Sequence, residues 1–446
     1  REATARTIEA LFVAGPQGNT VESIKADGDA VVRVAAPPAA SESDNPASRE
    51  LSARTISLQF YEDGRNIRSA QAEGDAVLRV IPVRSEPRAD KKTIRAPRMD
   101  AEFFEQGNRM RLFNAAGGVR LELEPTVSGS APARVTTSES LSATFLADSQ
   151  DIERVTQEGD FKYNEGDRNA VAARASYDGR SEVLSLRGQR PMIWDSKART
   201  QADEIDYDRR SEVSRARGDV RTTYYSRETT GDSTPFKNTR SPVFLTAERA
   251  EARNREGVAI YIGNARGWQD DNFVKGDRIE LYEEGKRLVA IGHVESALYT
   301  TEREVEEGKR EIVPGFASAD RMTYSDADRL VHYDGKVRAR QGTDRIEASS
   351  VDVYLKEETN EVERLIAEGS VVMTQPRRRA SGDRLVYTAE DGRAVLTGRI
   401  ARVEDADKGT TMGAELTFYS RDDKITVENQ QGTGRVRSTH RLTKEQ

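Results

Sequence analysis

A chain of 446 residues with 33% charged and only 36% hydrophobic residues is poorly supplied for a thick central core; thin repeated slices need less apolar surface. Its 69 Lys and Arg nearly cancel its 76 Asp and Glu and are interspersed with them, which describes a solvated outer face and argues against nucleic acid as a partner. There is no cysteine, hence no disulfide or thiolate metal site, and no apolar run of about 18 residues that would cross a membrane as a helix.

Taken in order, residues 1–34 alternate at Ile8, Ala10 and Phe12 and close on Gly28-Asp29-Ala30-Val31-Val32. A loop rich in Ala, Pro and Ser follows at 35–50. The next unit repeats the first: Ile56, Leu58 and Phe60 alternate, Glu62-Asp63-Gly64 turns, and Gly74-Asp75-Ala76-Val77 closes. A third has Met99, Ala101 and Phe103, then Val119, Leu121 and Leu123. After a second loop at 125–133, Leu141, Ala143 and Phe145 open a denser run. Polar insertions stand at 226–242 and 302–309, and the clearest units occupy 315–440, ending in a polar tail at Arg441–Gln446. Alternation of period two predicts half-buried strands throughout, with antiparallel pairing because the turns are short. Glu361–Glu368 has a weak helical pattern but sits where other units have a strand, and is read as strand. The interruptions outline three stretches, 1–125, 136–299 and 315–440, within one continuous stack.

The repeat is counted through its glycines: Gly28, Gly74, Gly117, Gly159, Gly188, Gly218, Gly263, Gly292, Gly335, Gly369, Gly398 and Gly434. Two residues after each stands an apolar side chain in eleven of the twelve, among them Ala30, Val337, Ile400 and Val436; Arg190 is the exception, with Pro191 beside it to shift the register. Gly159 to Gly188, Gly263 to Gly292 and Gly369 to Gly398 are each 29 residues. A fixed step of this size predicts stacked units sharing one core, each glycine marking a bulge or sharp bend. At two to three strands per unit, the twelve units make about 24–36 strands.

The unit Ala319-Asp320-Arg321-Met322-Thr323-Tyr324, a polar turn, then Gly335-Lys336-Val337 returns as Gly382–Tyr387 with Gly398–Ile400 and as Ala202–Tyr207 with Gly218–Val220. This pattern resembles the OstA/LptA-like family of lipopolysaccharide-transport periplasmic proteins, which includes LptC and the LptD N-terminal domain. The resemblance is good over 315–440, fair over 136–299 and looser over 1–125. It implies an all-β, elongated repeat β-jellyroll (β-taco) with mostly antiparallel strands in two facing walls. It further implies a periplasmic lipid-binding protein that shelters lipid A acyl chains in an apolar groove and passes lipopolysaccharide from the inner to the outer membrane. Implied partners are lipopolysaccharide, other β-jellyroll transport proteins end to end, and inner-membrane ABC transporter and outer-membrane translocon components. Because the chain starts at Arg1, an upstream signal or an inner-membrane anchor is left open. The end-to-end contact is expected to be lost on deleting 408–446.

Alternation picks out Phe60, Phe103, Phe145, Met322, Tyr324, Leu385, Tyr387, Leu416 and Phe418 as inward, lipid-binding candidates, with Arg321, Thr323, Arg384 and Thr417 outward. Leu385→Asp is expected to weaken lipid capture. The same alternation fits a closed core with no ligand, as in a scaffold or adhesin. No enzyme, cofactor or metal is expected: the three histidines, His293, His332 and His440, have no metal-pair spacing, and no G-x-S-x-G or P-loop pattern occurs. Asp270-Asp271 and Asp422-Asp423 would serve a carbohydrate-processing enzyme only if brought across a cleft. The aspartates after glycine (Asp29, Asp75, Asp160, Asp219, Asp277, Asp383) read as turn residues, and Arg377-Arg378-Arg379 as an exposed basic loop with lipid phosphate as its alternative ligand.

Overall fold

A computed structural model describes residues 2–439 except 16–17, 37–45, 87–88, 150, 226–234, 237–240, 285, 299–301, 307–308, 357–360, 408, 420–424 and 429–436. Gly434, Val436, His440, Asp422-Asp423 and the tail Arg441–Gln446 therefore lie outside the described residues. The described residues form thirty strands and no helix, and the strands pair antiparallel. Val362–Thr374 is a strand, as its place in the repeat required. The chain divides into two compact units, Arg1–Arg217 and Gly218–Gln446.

Each unit is largely a meander in which a strand pairs with the one before and the one after it; Val183–Arg187 instead pairs with Glu204–Asp208. Most strands are long, and their pairing slips in mid-course, where the strand turns a corner; between Val183 and Asp208 the strands are short and break at the corner instead. In Leu330–Gln341, the register passes from Asp334↔Ser350 to Val337↔Ala348, so Gly335 and Lys336 face one residue of the neighbour. Both have positive φ, 83° and 50°. A Cβ on Gly335 would stand 2.7 Å from the Cβ of Asp320 in the preceding strand, so the position excludes side chains on conformational and steric grounds together. This explains the Ala-Asp pair of the repeat: Ala319 is buried and Asp320 caps the next strand's glycine. Gly335→Val is accordingly expected to cost the C-terminal unit about 1–3 kcal/mol. The loss should appear as a lower urea midpoint by Trp268 fluorescence in a Trp194→Phe background; an unchanged midpoint would show that the corner is not constrained.

Of the eleven repeat glycines among the described residues, all but Gly398 have positive φ. Asp29, Asp75, Asp160 and Asp219 share it, whereas Asp277 and Asp383 sit at the facing corner, against Gly292 and Gly398. At two places the register differs from the simple repeat. Gly188, Gln189 and Arg190 are all at positive φ, and Pro191 takes the buried place. At Gly398 the slip runs from Thr397↔Glu415 to Ala401↔Gly413, one residue longer than elsewhere. Ile400, expected inside, is therefore 70% exposed, and Ala401 is fully buried in its stead. A one-residue change reverses every face beyond it.

The corners fold the two halves of each strand over one another, giving two facing walls per unit. Hydrogen bonds cross between them. In the N-terminal unit Gln157 Nε2 donates to Thr136 Oγ1 at 2.9 Å, from one wall to the other. In the C-terminal unit Ser296 and Tyr333 hydroxyls meet at 2.7 Å, and those of Tyr224 and Tyr261 at 3.0 Å. Burial pushes the Tyr333 phenol up to about 12, so it acts there only as a neutral hydrogen-bonding group. The outer faces carry exposed ion pairs such as Arg33–Glu50–Arg79, both contacts 2.8 Å, which contribute little to stability.

Candidate functional site

The inner faces carry apolar rows running across the strands. In the C-terminal unit one row passes through Tyr261, Ile279, Ala290, Met322, Tyr333, Val351, Ala367, Leu385, Leu396 and Leu416, each the cross-strand partner of the next. The adjacent row contains Tyr324, Val331, Tyr387, Ala394 and Phe418. Six of the predicted residues thus fall on two neighbouring rows of one wall. Met322, Tyr324 and Leu416 are 0% exposed and Leu385 1%, while Tyr387 is half-buried at the margin. Arg321 and Arg384 are exposed on the opposite face, with Thr323 and Thr417 half-buried there; Arg384 reaches Glu368 at 2.9 Å.

The N-terminal unit has a thinner interior. Nine of the fifteen residues in its buried core are alanine, against nine of thirty-two in the other unit, so its walls hold less side-chain volume between them. The remaining predicted residues lie at its free edge, where the strand halves end far from the corners. Phe103 and Phe145 are half-buried against the core; Phe60 is half-buried beside Ile67, outside the core cluster.

The opposite free edge of the same strands holds residues that alternation marks as inward, although they are charged. Arg49 lies on the face of Leu51, Lys92 on that of Ile94, and Arg134 on that of Thr136, two residues further from the corner in each case. Arg49, Val80, Lys92, Leu123, Arg134, Glu165 and Arg168 are successive cross-strand partners, so these cations form a row. Arg134 pairs with Asp90, and the Tyr163 hydroxyl donates to Glu165 at 2.9 Å. Among the described residues Arg49 and Lys92 have no hydrogen-bond or ion-pair partner. Burial pushes the Lys92 ammonium down, and Arg134 and Arg49 add to the effect against the opposing charge of Asp90. Burial likewise lowers Arg49. The sequence carried a signal for this row: each of Arg49, Lys92 and Arg134 stands 11 residues before Phe60, Phe103 and Phe145 respectively.

Other candidates resolve into structure. Arg377 pairs with Asp407, and Arg378 with Asp405 at 3.4 Å, its guanidinium 5.8 Å from the Phe418 ring centre. Two members of that basic stretch are thus neutralised. His293 bonds Asp277 at 2.9 Å, and that hydrogen bond and charge raise it; His332 bonds Asp352 at 2.5 Å. Asp270-Asp271 is a two-residue hairpin turn between paired Gln269 and Asn272. No metal-holding cluster occurs among the described residues.

Bent antiparallel strands closing two walls on an apolar interior define a repeat β-jellyroll. Residues 317–424 match the family model for the LptA/(LptD N-terminal domain) LPS transport protein, the OstA/LptA-like family that this stretch of repeat resembles. Among solved structures, the chain is similar to LptH of Pseudomonas aeruginosa, the LptA-homologous periplasmic component of its lipopolysaccharide transport device, at 17% identity and TM-score 0.24, over 30% of this chain and 96% of that one. No curated protein matches the chain.

Proposed function

We propose that this chain is a periplasmic lipopolysaccharide carrier that shelters lipid A acyl chains between its walls and acts without catalysis. The observation that carries the reading is the continuous apolar row from Tyr261 to Leu416 on the inner face of the C-terminal unit, backed by a charged outer face. The match of 317–424 to a lipopolysaccharide-transport family supports the class of cargo. Each buried methylene contributes about 0.8 kcal/mol, so several acyl chains are held without directional contacts. Because Met322 and Tyr324 are fully covered, acyl chains enter by parting the free edges, with the corners as hinges. Parting separates least packed surface in the alanine-rich N-terminal unit.

Passive holding gives no direction to transport; that comes from partners, an ABC transporter at the inner membrane and a translocon at the outer one. Contact with other β-jellyrolls fits the outermost strand, Thr7–Gly15, which pairs with Gly18–Val34 and leaves Ile8 49% and Phe12 55% exposed. Burial of the whole Tyr261–Leu416 row favours a second reading, a scaffold with a filled core. Native mass spectrometry of the chain expressed in a lipopolysaccharide-producing host separates the two. Co-purified lipopolysaccharide is expected; a lipid-free chain that also takes up none when lipopolysaccharide is added would establish the scaffold.

A further inference from the structure

Within one jellyroll interior, the free edges of the two walls differ in chemistry. One edge is aromatic, with Phe60, Phe103 and Phe145 on every second strand. The other, on those same strands, is cationic, with Arg49, Lys92 and Arg134 on the inward face. Inward cations are costly beside an apolar core, since burial disfavours charge and like charges repel. The fold does neutralise them elsewhere: Arg378 meets Asp405 in the C-terminal unit, and Arg134 meets Asp90 here. Arg49 and Lys92 have no such partner among the described residues. The whole row, with Asp90, holds four cations (Arg49, Lys92, Arg134, Arg168) against two carboxylates, Asp90 and Glu165.

We infer that Arg49, Lys92 and Arg134 bind the phosphate of a phosphorylated lipid headgroup whose acyl chains pass between the walls beside Phe60, Phe103 and Phe145. This rests on the carrier reading above and deepens it by assigning the headgroup. The chemistry is complementary at both ends. A phosphate supplies several acceptor oxygens and the negative charge that the row lacks, and Arg and Lys donate to it through charge-assisted hydrogen bonds. Apolar chains leaving that phosphate meet Leu51, Ile94 and Leu121, which line the core next to the row. Spacing on alternate strands, about 9–10 Å apart at ordinary strand separation, suits a headgroup carrying more than one phosphate.

The test measures binding of the purified full chain to lipid A bearing both phosphates, to enzymatically dephosphorylated lipid A, and to inorganic phosphate. Lys92→Gln and Arg49→Gln should each weaken the phosphorylated lipid about tenfold and leave the dephosphorylated lipid unchanged. Lys92→Arg keeps the charge and should bind like the wild type. So should Lys91→Gln, whose side chain lies exposed on the outer face of the same strand. Ligand-free Lys92→Gln should melt no lower than the wild type, because it removes an unpartnered charge; this keeps loss of binding distinct from loss of fold. Equal wild-type affinity for both lipids would overturn the headgroup row and leave the acyl interior standing. Failure of both lipids to bind would overturn the carrier reading as well. Inorganic phosphate binding as tightly as lipid A would make the ligand a free phosphate and overturn the headgroup assignment.

Discussion

Leu385→Asp is expected to unfold the C-terminal unit under mild conditions, a larger effect than the weakened lipid capture expected from alternation alone. Leu385 is 1% exposed and is flanked across the strands by Ala367 and Leu396, both 0% exposed. A carboxylate there is set among these apolar side chains. It either stays charged at high cost or takes up a proton, and in both cases a polar group is buried unpaired. Loss of the leucine packing adds to this, for a total of about 4 kcal/mol or more. Leu385→Met, which keeps volume and polarity, should cost less than about 1.5 kcal/mol. Urea unfolding followed at Trp268, with Trp194 replaced by Phe, reads the C-terminal unit alone. If Leu385→Asp melts like Leu385→Met, the inner rows are not a packed core, and the closed-wall architecture fails.

The second large effect is a contrast between the two faces of one strand. A photo-crosslinking residue at Phe103 or Tyr387, each half-buried on an inner face, should capture lipopolysaccharide in cells, as should one at Met322 once the walls part. At Arg321 or Arg384, exposed on the outer face, capture should fall at least tenfold, because neighbouring residues of a strand point to opposite sides. The depth of labelling carries further information. Capture at Phe103 without Met322 would place the lipid at the free edge of the N-terminal unit only. Equal labelling of inner and outer positions, or none at either in a folded chain, would remove the interior as a lipid path and give precedence to the filled scaffold.

Much of this protein was legible in its sequence. Period-two alternation placed Met322, Leu385 and Leu416 on one side and Arg321 and Arg384 on the other, because in a strand face follows parity. The glycines marked the corners, because Gly335 and its counterparts combine positive φ with a neighbour too close for a side chain. Parity is a local property and is lost wherever a bulge adds a residue, which is why Ile400 faces out and Ala401 in. Tertiary structure alone decided that the two halves of each strand face one another, and hence that Gln157 meets Thr136 across the interior. It also decided how tightly the walls close: alternation said that Met322 points inward, but only packing between the walls, beside its cross-strand partners Ala290 and Tyr333, makes it 0% exposed. The inward turn of Arg49, Lys92 and Arg134 belongs to the same class. A charged residue at an inner-parity position reads in sequence as the end of a strand, and only pairing across successive strands gathers three of them along one edge.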